Sequence, residues 1–492
     1  MKKAFDDLVN NIEVRSSLSK LRSFIKDPQE AKELVEMLQD KAKVVLDCLD
    51  SEDAKTRKNA ALLIGDLGIE EAVDRLYEAY LKEPILFAKS AYLTALEKMD
   101  AQSLLPQLRD RLEELLGQEK TEENRKHIDD ELRAIRKILI KYEGIETHNP
   151  KTYGHQMEVV LLCNRSFREL LKDSVTGGQA SIHPLGVLVK TDDLSCVSGI
   201  RTYREMIFPV HTEGMVSAKP REAAKQLWNS DLYKIIEDMH VQPGPFYYRI
   251  ECKSHMELDK RSDFSKKLAA ELDMLSGGML INSTGEYEIE IRLIANKEGM
   301  FFPCLRLYTI KDKRFDYRKN AISASIHPAT AALIMELSEP YLREDAQIMD
   351  PFCGVGTMLI ERDKKCKARE IYGTDIFGEA IEKARENAVF AGKRINYIHR
   401  DFFDFKHDYL FNEIVTNMPV RGKRTREEMD DFYARFFDKA KTILAPKGII
   451  IMYTNEVGFV KKQLRLHSEY KLVQETCILK KNDFYLFILE CR

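Results

Sequence analysis

D-P-F-C-G-V-G-T, residues 350–357, decides the fold of the C-terminal third of this 492-residue chain. The apolar run ending in I-M-D at 348–350 reads as a strand, and 358–365 reads as a helix. Gly354 and Gly356 let the backbone turn sharply between them and approach a ligand closely, while the helix start offers free amides to a carboxylate. A dinucleotide-binding loop would carry a third glycine at 359, where Leu359 stands. Working outward, E-I-Y-G-T-D at 370–375, E-I-V-T-N at 413–417 and G-I-I-I-M-Y-T at 448–454 read as strands, with helices predicted over 378–391 and 426–444. Such alternation predicts an α/β, Rossmann-like parallel sheet with its ligand at the carboxyl ends of the strands. Two further strands at 470–479 and 484–491, joined through K-K-N-D, predict a C-terminal antiparallel hairpin.

The residues at those strand ends point to one class of ligand. Asp375 closes the strand after the loop, 25 residues beyond Asp350, where a carboxylate can accept hydrogen bonds from both hydroxyls of a ribose. Asp401 and Phe402 follow the next short strand, placed to meet an adenine amino group and cover its ring. The sequence therefore predicts an adenosine-containing ligand held by Gly354, Gly356, Asp375, Asp401 and Phe402, to which the resemblance given next adds Asp350, Cys353, Thr357, Ile376 and Asn417.

T-N-M-P-V at 416–420 ends another predicted strand. With it, residues 321–492 resemble the class I S-adenosylmethionine-dependent methyltransferases, with 350–357 as cofactor loop and 417–420 in place of the Asn-Pro-Pro-Tyr tetrad of amino-group methylases. F-D-Y-R-K-N-A-I-S-A-S-I-H-P-A-T-A-A at 315–332 resembles the entry to the catalytic domain of THUMP-containing RNA methyltransferases. The resemblance implies S-adenosylmethionine as cofactor, Asn417, Met418 and Pro419 as catalytic residues, and an RNA base amine as target. The 2-amino group of guanine in tRNA is its favoured target and ribosomal RNA its alternative. Met418 and Val420 replace the tetrad's second proline and aromatic, which supports a non-catalytic cofactor-binding helical-repeat scaffold as an alternative, and a DNA adenine methylase is the enzymatic alternative, disfavoured by the THUMP-like segment. Carbon methylation would need a cysteine nucleophile, and neither Cys353, inside the loop, nor Cys304, outside the catalytic domain, is placed as one.

Residues 1–145 read as helix, and R-K-N-A-A-L-L-I-G-D-L-G at 57–68 is echoed by A-K-S-A-Y-L-T-A-L-E-K-M at 88–99, setting Ala60 on Ala91 and Leu62 on Leu93. This resembles HEAT-type repeats. Strands at 157–163, 186–190, 247–252 and 287–294 around a helix at 265–272 make the next region α+β, which the resemblance renders as ferredoxin-like plus THUMP. Three domains are expected: 1–148, 149–318 and 319–492.

The chain carries a formal charge of −3, divided as −6 over residues 1–150, +2 over 151–320 and +1 over 321–492. An acidic helical stack suits a protein partner or a spacer better than a phosphate backbone. RNA contact is expected instead from Arg318 and Lys319 in the basic run 311–319, and from Arg421, Lys423, Arg424 and Arg426 beside the tetrad, with Phe315, Tyr317 and Phe432 interleaved. Nine scattered cysteines without a C-x-x-C pair exclude common zinc sites and disulfide frameworks. No 18-residue apolar run occurs, so a cytoplasmic protein without a membrane span is expected.

Overall fold

The computed structural model describes residues 1–25, 27–38, 41–119 and 121–492; positions 26, 39, 40 and 120 of the predicted helical region lie outside them. The N-terminal region is helical, from Lys2–Val9 through Val14–Phe24, Ala54–Leu67 and Leu86–Glu97 to Arg125–Glu143. Helices Ala54–Leu67 and Leu86–Glu97 touch so closely that a Cβ on Gly65 would lie 2.4 Å from the Ala95 Cα. Ala60 and Ala91 are both buried, as their shared phase predicts, whereas Leu62 is half-buried and Leu93 fully buried. The echo thus holds at the alanines and slips at the leucines.

The middle region forms one eight-stranded sheet. Its strands are β1 (Tyr153–Leu162), β2 (Gln179–His183), β3 (Gly186–Asp193), β4 (Met206–Pro209), β5 (Phe246–Lys253), β6 (Leu280–Asn282), β7 (Ile289–Ala295) and β8 (Phe301–Leu307). The order is β2-β3-β1-β4-β8-β7-β5-β6. β4 joins the two halves through its antiparallel pairs with β1 and β8. Helix Leu258–Leu275 covers the predicted 265–272 and extends it on both sides.

The C-terminal sheet contains β9 (Gln347–Asp350), β10 (Glu370–Asp375), β11 (Asn396–His399), β12 (Phe411–Asn417), β13 (Leu444–Thr454), β14 (Tyr470–Leu479) and β15 (Phe484–Cys491). Its order is β11-β10-β9-β12-β13-β15-β14. The first five are parallel, and β15 enters antiparallel between β13 and β14. Strand order reverses between β9 and β12, which opens a crevice at their carboxyl ends. Asp350, Asp375 and Asn417 end their strands on that side.

The segment joining the two sheets departs from the expected basic and aromatic rim. Arg314 is buried, with its guanidinium bonded to Asp312 at 2.7 Å and to the carbonyls of Ile200 and Tyr203 at 2.8 and 2.9 Å. Tyr317 is buried too and donates to Glu361 Oε1 at 2.6 Å, while Phe315 lies under the Arg201 guanidinium at 4.6 Å. These side chains fasten the C-terminal region to the middle sheet, and this correction buries Tyr317 and leaves Phe315 half-covered.

Candidate active site

The loop after β9 is held from three sides. Cys353 N donates to the Thr374 carbonyl at 2.9 Å, Thr374 Oγ1 to the Pro351 carbonyl at 3.0 Å, and Asn387 Nδ2 to the Val355 carbonyl at 3.1 Å. Gly354 and Gly356 have φ of +52° and +83°, the left-handed region that favours glycine. A Cβ on Gly356 would also lie 2.1 Å from the Tyr397 hydroxyl, so that position is closed by sterics as well. A Cβ on Gly354 would meet no protein atom within 4 Å.

Asp375 takes part in building this loop. Its Oδ2 accepts from Gly354 N at 2.9 Å and its Oδ1 from Phe377 N at 2.9 Å, which leaves further lone pairs on both oxygens for a ligand. Asp350 is buried and accepts from Phe352 N at 3.0 Å. Burial pushes its carboxyl up to about 7, and the nearby Asp375 charge adds to the rise. Cys353 is a packing residue whose side chain fits against Gly373, where an added Cβ would lie 3.0 Å from its sulfur. Burial holds its thiol well above the usual range, which leaves it protonated and a poor nucleophile.

These groups surround a cavity of about 520 Å³. Every predicted cofactor residue except Gly356 lines it, and Ile322, Ala324, Ser325 and Ile326 complete the wall with residues 417–420. Asp401 caps the following turn through Phe403 N at 2.9 Å. Phe402 is 1% exposed and packed edge-on against Phe352 at 5.7 Å, so it backs the wall. Phe377, 65% exposed beside Asp375, is the aromatic free to cover a ring; sequence reasoning misses it because its Phe-Gly context reads only as a helix entry.

Asn417 ends β12 opposite Tyr453. Among the described residues its side-chain amide makes no hydrogen bond, so it is not occupied with its own backbone. Met418 is buried, its N–H donating to the Tyr453 carbonyl at 2.9 Å, and Val420 is exposed. Of the predicted RNA-contact residues, Arg424 lines the cavity with its guanidinium 5.2 Å from the Phe432 ring centre. Arg421, Lys423 and Arg426 are exposed just outside, and none of the four is in an ion pair among the described residues. Arg318 is half-buried, turned toward the Ile326 carbonyl at 3.5 Å, and Lys319 is exposed over Phe390. Arg435, which sequence reasoning passes over, stacks on Phe403 at 4.0 Å in the same wall.

A buried loop cradle, a pocket of a size usual for small-molecule sites and a carboxylate with free lone pairs suit an adenosine-bearing cofactor. Thr357 Oγ1, buried at the helix start on the cavity wall and without a partner among the described residues, fits the same reading. Residues 316–478 match the family of RMKL-like methyltransferase domains. The tRNA (guanine(10)-N2)-dimethyltransferase of Methanothermobacter thermautotrophicus is 28% identical over 155 residues, 30% of this chain and 45% of that protein. The ribosomal protein L11 methyltransferase of Paraburkholderia phymatum is 36% identical over 77 residues, 16% of this chain and 25% of that protein. The chain spans less than half the length of either relative. Among solved structures, TrmN from Thermus thermophilus aligns with 69% of this chain and 100% of its own at 17% identity and a TM-score of 0.49. Residues 316–478 are thus similar to RMKL-like methyltransferase domains, and the loop geometry agrees with S-adenosylmethionine as the cofactor.

Proposed function

We propose that the protein methylates an exocyclic base amine in RNA, with the 2-amino group of guanine in tRNA as the favoured target. The carrying observation is Asn417, an unbonded amide at a strand end on the cavity wall, followed by Met418 and Pro419. S-adenosylmethionine supplies a methyl on positively charged sulfur. An exocyclic amine is a poor nucleophile because its lone pair is delocalised into the ring. The Asn417 side-chain oxygen and the Met418 main-chain carbonyl would each accept one N–H, turning that lone pair out of conjugation and toward the methyl. A strong base is not required, since the proton turns acidic only as charge develops on nitrogen.

A second cavity of about 740 Å³ supports a base-sized substrate. It shares Asn417 and Val420 with the first and lies between the middle sheet and the β14–β15 turn, with Arg165, Arg204, Lys480 and Lys481 on its wall. Val420 cannot stack on a base, but Phe484, stacked on Tyr453 at 4.8 Å, offers a ring in that cavity. In this reading residues 149–318 are the ferredoxin-like and THUMP-like RNA-binding region, residues 1–148 a HEAT-like stack, and residues 319–492 the catalytic domain. The tRNA activity named for the Methanothermobacter thermautotrophicus relative supports the choice of RNA.

Two variants test the division of roles. Asn417→Ala should keep cofactor affinity near wild type and lower methyl transfer to bulk tRNA at least about a hundredfold, as loss of a transition-state contact does. Asp375→Ala should weaken cofactor binding at least about tenfold, because two ribose hydroxyls lose their acceptor. Labelled cofactor offered with RNA, DNA or protein reads the substrate class, and labelling of DNA or protein alone would overturn the assignment.

A further inference from the structure

The net −6 of the N-terminal region averages over a surface that is not uniform. Many of its cations are paired: Arg22 with Asp66 at 2.9 Å, Arg57 with Glu83 at 2.6 Å, Arg109 with Glu143 at 2.6 Å and Lys98 with Asp66. Four others gather without partners. Arg15, Lys20, Lys55 and Lys58 line one open groove of about 990 Å³ and, among the described residues, form no ion pair. They belong to two packed helices, Val14–Phe24 and Ala54–Leu67, and Phe87 from the start of Leu86–Glu97 completes the floor. Phe87 is 37% exposed, with the Lys58 ammonium 5.9 Å from its ring centre. Glu13 is the acid that lines the groove, and Asp53, which caps its helix through Lys55 N and Thr56 N, lies close enough to feel Arg15.

We propose that this groove binds the phosphodiester backbone of the RNA substrate, at a distance from the base being modified. Four cations without ion-pair partners along one groove match a phosphate backbone, because neutralising phosphates releases the counterions condensed on the nucleic acid, which is the main source of its non-specific affinity. The exposed Phe87 ring gives a sugar or an unstacked base a face to lie on. The last helix of the stack, Arg125–Glu143, meets the middle region through a hydrogen bond from Arg125 to the Met274 carbonyl at 3.4 Å and an Arg133–Asp273 ion pair at 3.8 Å. RNA lying across the middle region and the groove would therefore be gripped at two places. The inference rests on RNA being the substrate, and it departs from the expectation that the acidic helical stack suits a protein partner or a spacer.

The full-length chain with Arg15, Lys20, Lys55 and Lys58 all changed to Gln is compared with wild type in filter binding to deacylated bulk tRNA across a salt series. Affinity should fall at least about tenfold near physiological salt, and the log–log salt slope should drop by about three, one phosphate contact per lost charge at ~0.7–0.9 each. A companion variant that keeps the charge at every position, combining Arg15→Lys, Lys20→Arg, Lys55→Arg and Lys58→Arg, should bind as wild type does. Unchanged tRNA affinity in the neutral variant overturns the proposal, as does equal loss in the charge-keeping variant, which would show a packing effect. Binding is read without methyl transfer, so the outcome is separable from that of Asn417→Ala: a chain that methylates RNA but ignores the groove substitutions defeats this inference alone.

Discussion

Asp350 shows how a single buried carboxyl sets a pH dependence. An exposed aspartate titrates near 4, whereas burial in the fold lifts this one to about 7. Between those values the native state holds a proton that the unfolded chain has lost, so the folded state loses stability from this group as pH rises from about 4 to 7. Asp350→Asn keeps an oxygen for Phe352 N and carries no charge. Relative to wild type, the cofactor-free variant should gain melting temperature steadily as pH rises through that window and level off above it. A difference independent of pH would mean that Asp350 is already ionised in the fold at low pH. At the same scale, the turn at Gly354 and Gly356 and the strand-end place of Asp375 are legible in the sequence because they are local: two left-handed glycines and a carboxylate that closes on the same loop. Phe377 is not, since its exposure depends on how the chain leaves β10.

Among elements, the helix Thr357–Lys365 is locked to β12 by an ion pair removed from water. Arg362 Nε and Nη2 reach the two Glu413 oxygens at 2.7 and 2.8 Å, and both side chains are wholly buried. The same guanidinium donates to the Arg343 carbonyl at 2.8 Å while Glu413 accepts from Arg343 N at 3.0 Å, so the pair also fixes the entry to β9. Glu413→Ala leaves a buried charge unmatched and should cost about 3–5 kcal/mol, measured as lost hydrogen-exchange protection in β9 and β12. The double change Glu413→Leu with Arg362→Met should recover much of that protection, because neither charge then remains. The elements of this domain follow the sequence closely. The strands at 370–375, 470–479 and 484–491 and the helix at 378–391 have the predicted bounds. In the middle region β2, β4, β6 and β8 go unread: they are short, or carry a proline as β8 does at Pro303, and owe their strand character to the neighbours that pair with them.

For the molecule as a whole, the decisive contact is between the middle region and the cofactor-loop helix. Arg201 makes a bidentate pair with Glu361 at 2.7 and 2.9 Å, and Tyr317 adds its hydroxyl to the same carboxylate. Arg201→Ala should leave cofactor affinity unchanged, since none of these side chains lines the cofactor cavity. It should speed deuterium exchange across 311–327, the segment that joins the sheets and forms part of the cavity wall, and lower methyl transfer to RNA. Unaltered exchange would show that apolar packing, including the cluster that Phe167 shares with Ala331 and Leu333, suffices to hold the two regions together.

By itself the sequence determined the alternation of strands and helices in the catalytic domain, the glycine turn, the carboxylate ending β10 and the asparagine ending β12. Each follows from periodicity or from the chemistry of residues adjacent in the chain. Only the tertiary structure decided which cations are free. Arg314 and Tyr317 sit in a basic, aromatic run and are spent on internal bonds, whereas Arg15, Lys20, Lys55 and Lys58, separated by up to 43 positions in an acidic region, meet in one groove where Glu13 is the lining acid. Whether a charge is neutralised depends on what stands within a few ångströms of it in space, and composition averaged along the chain carries no record of that distance.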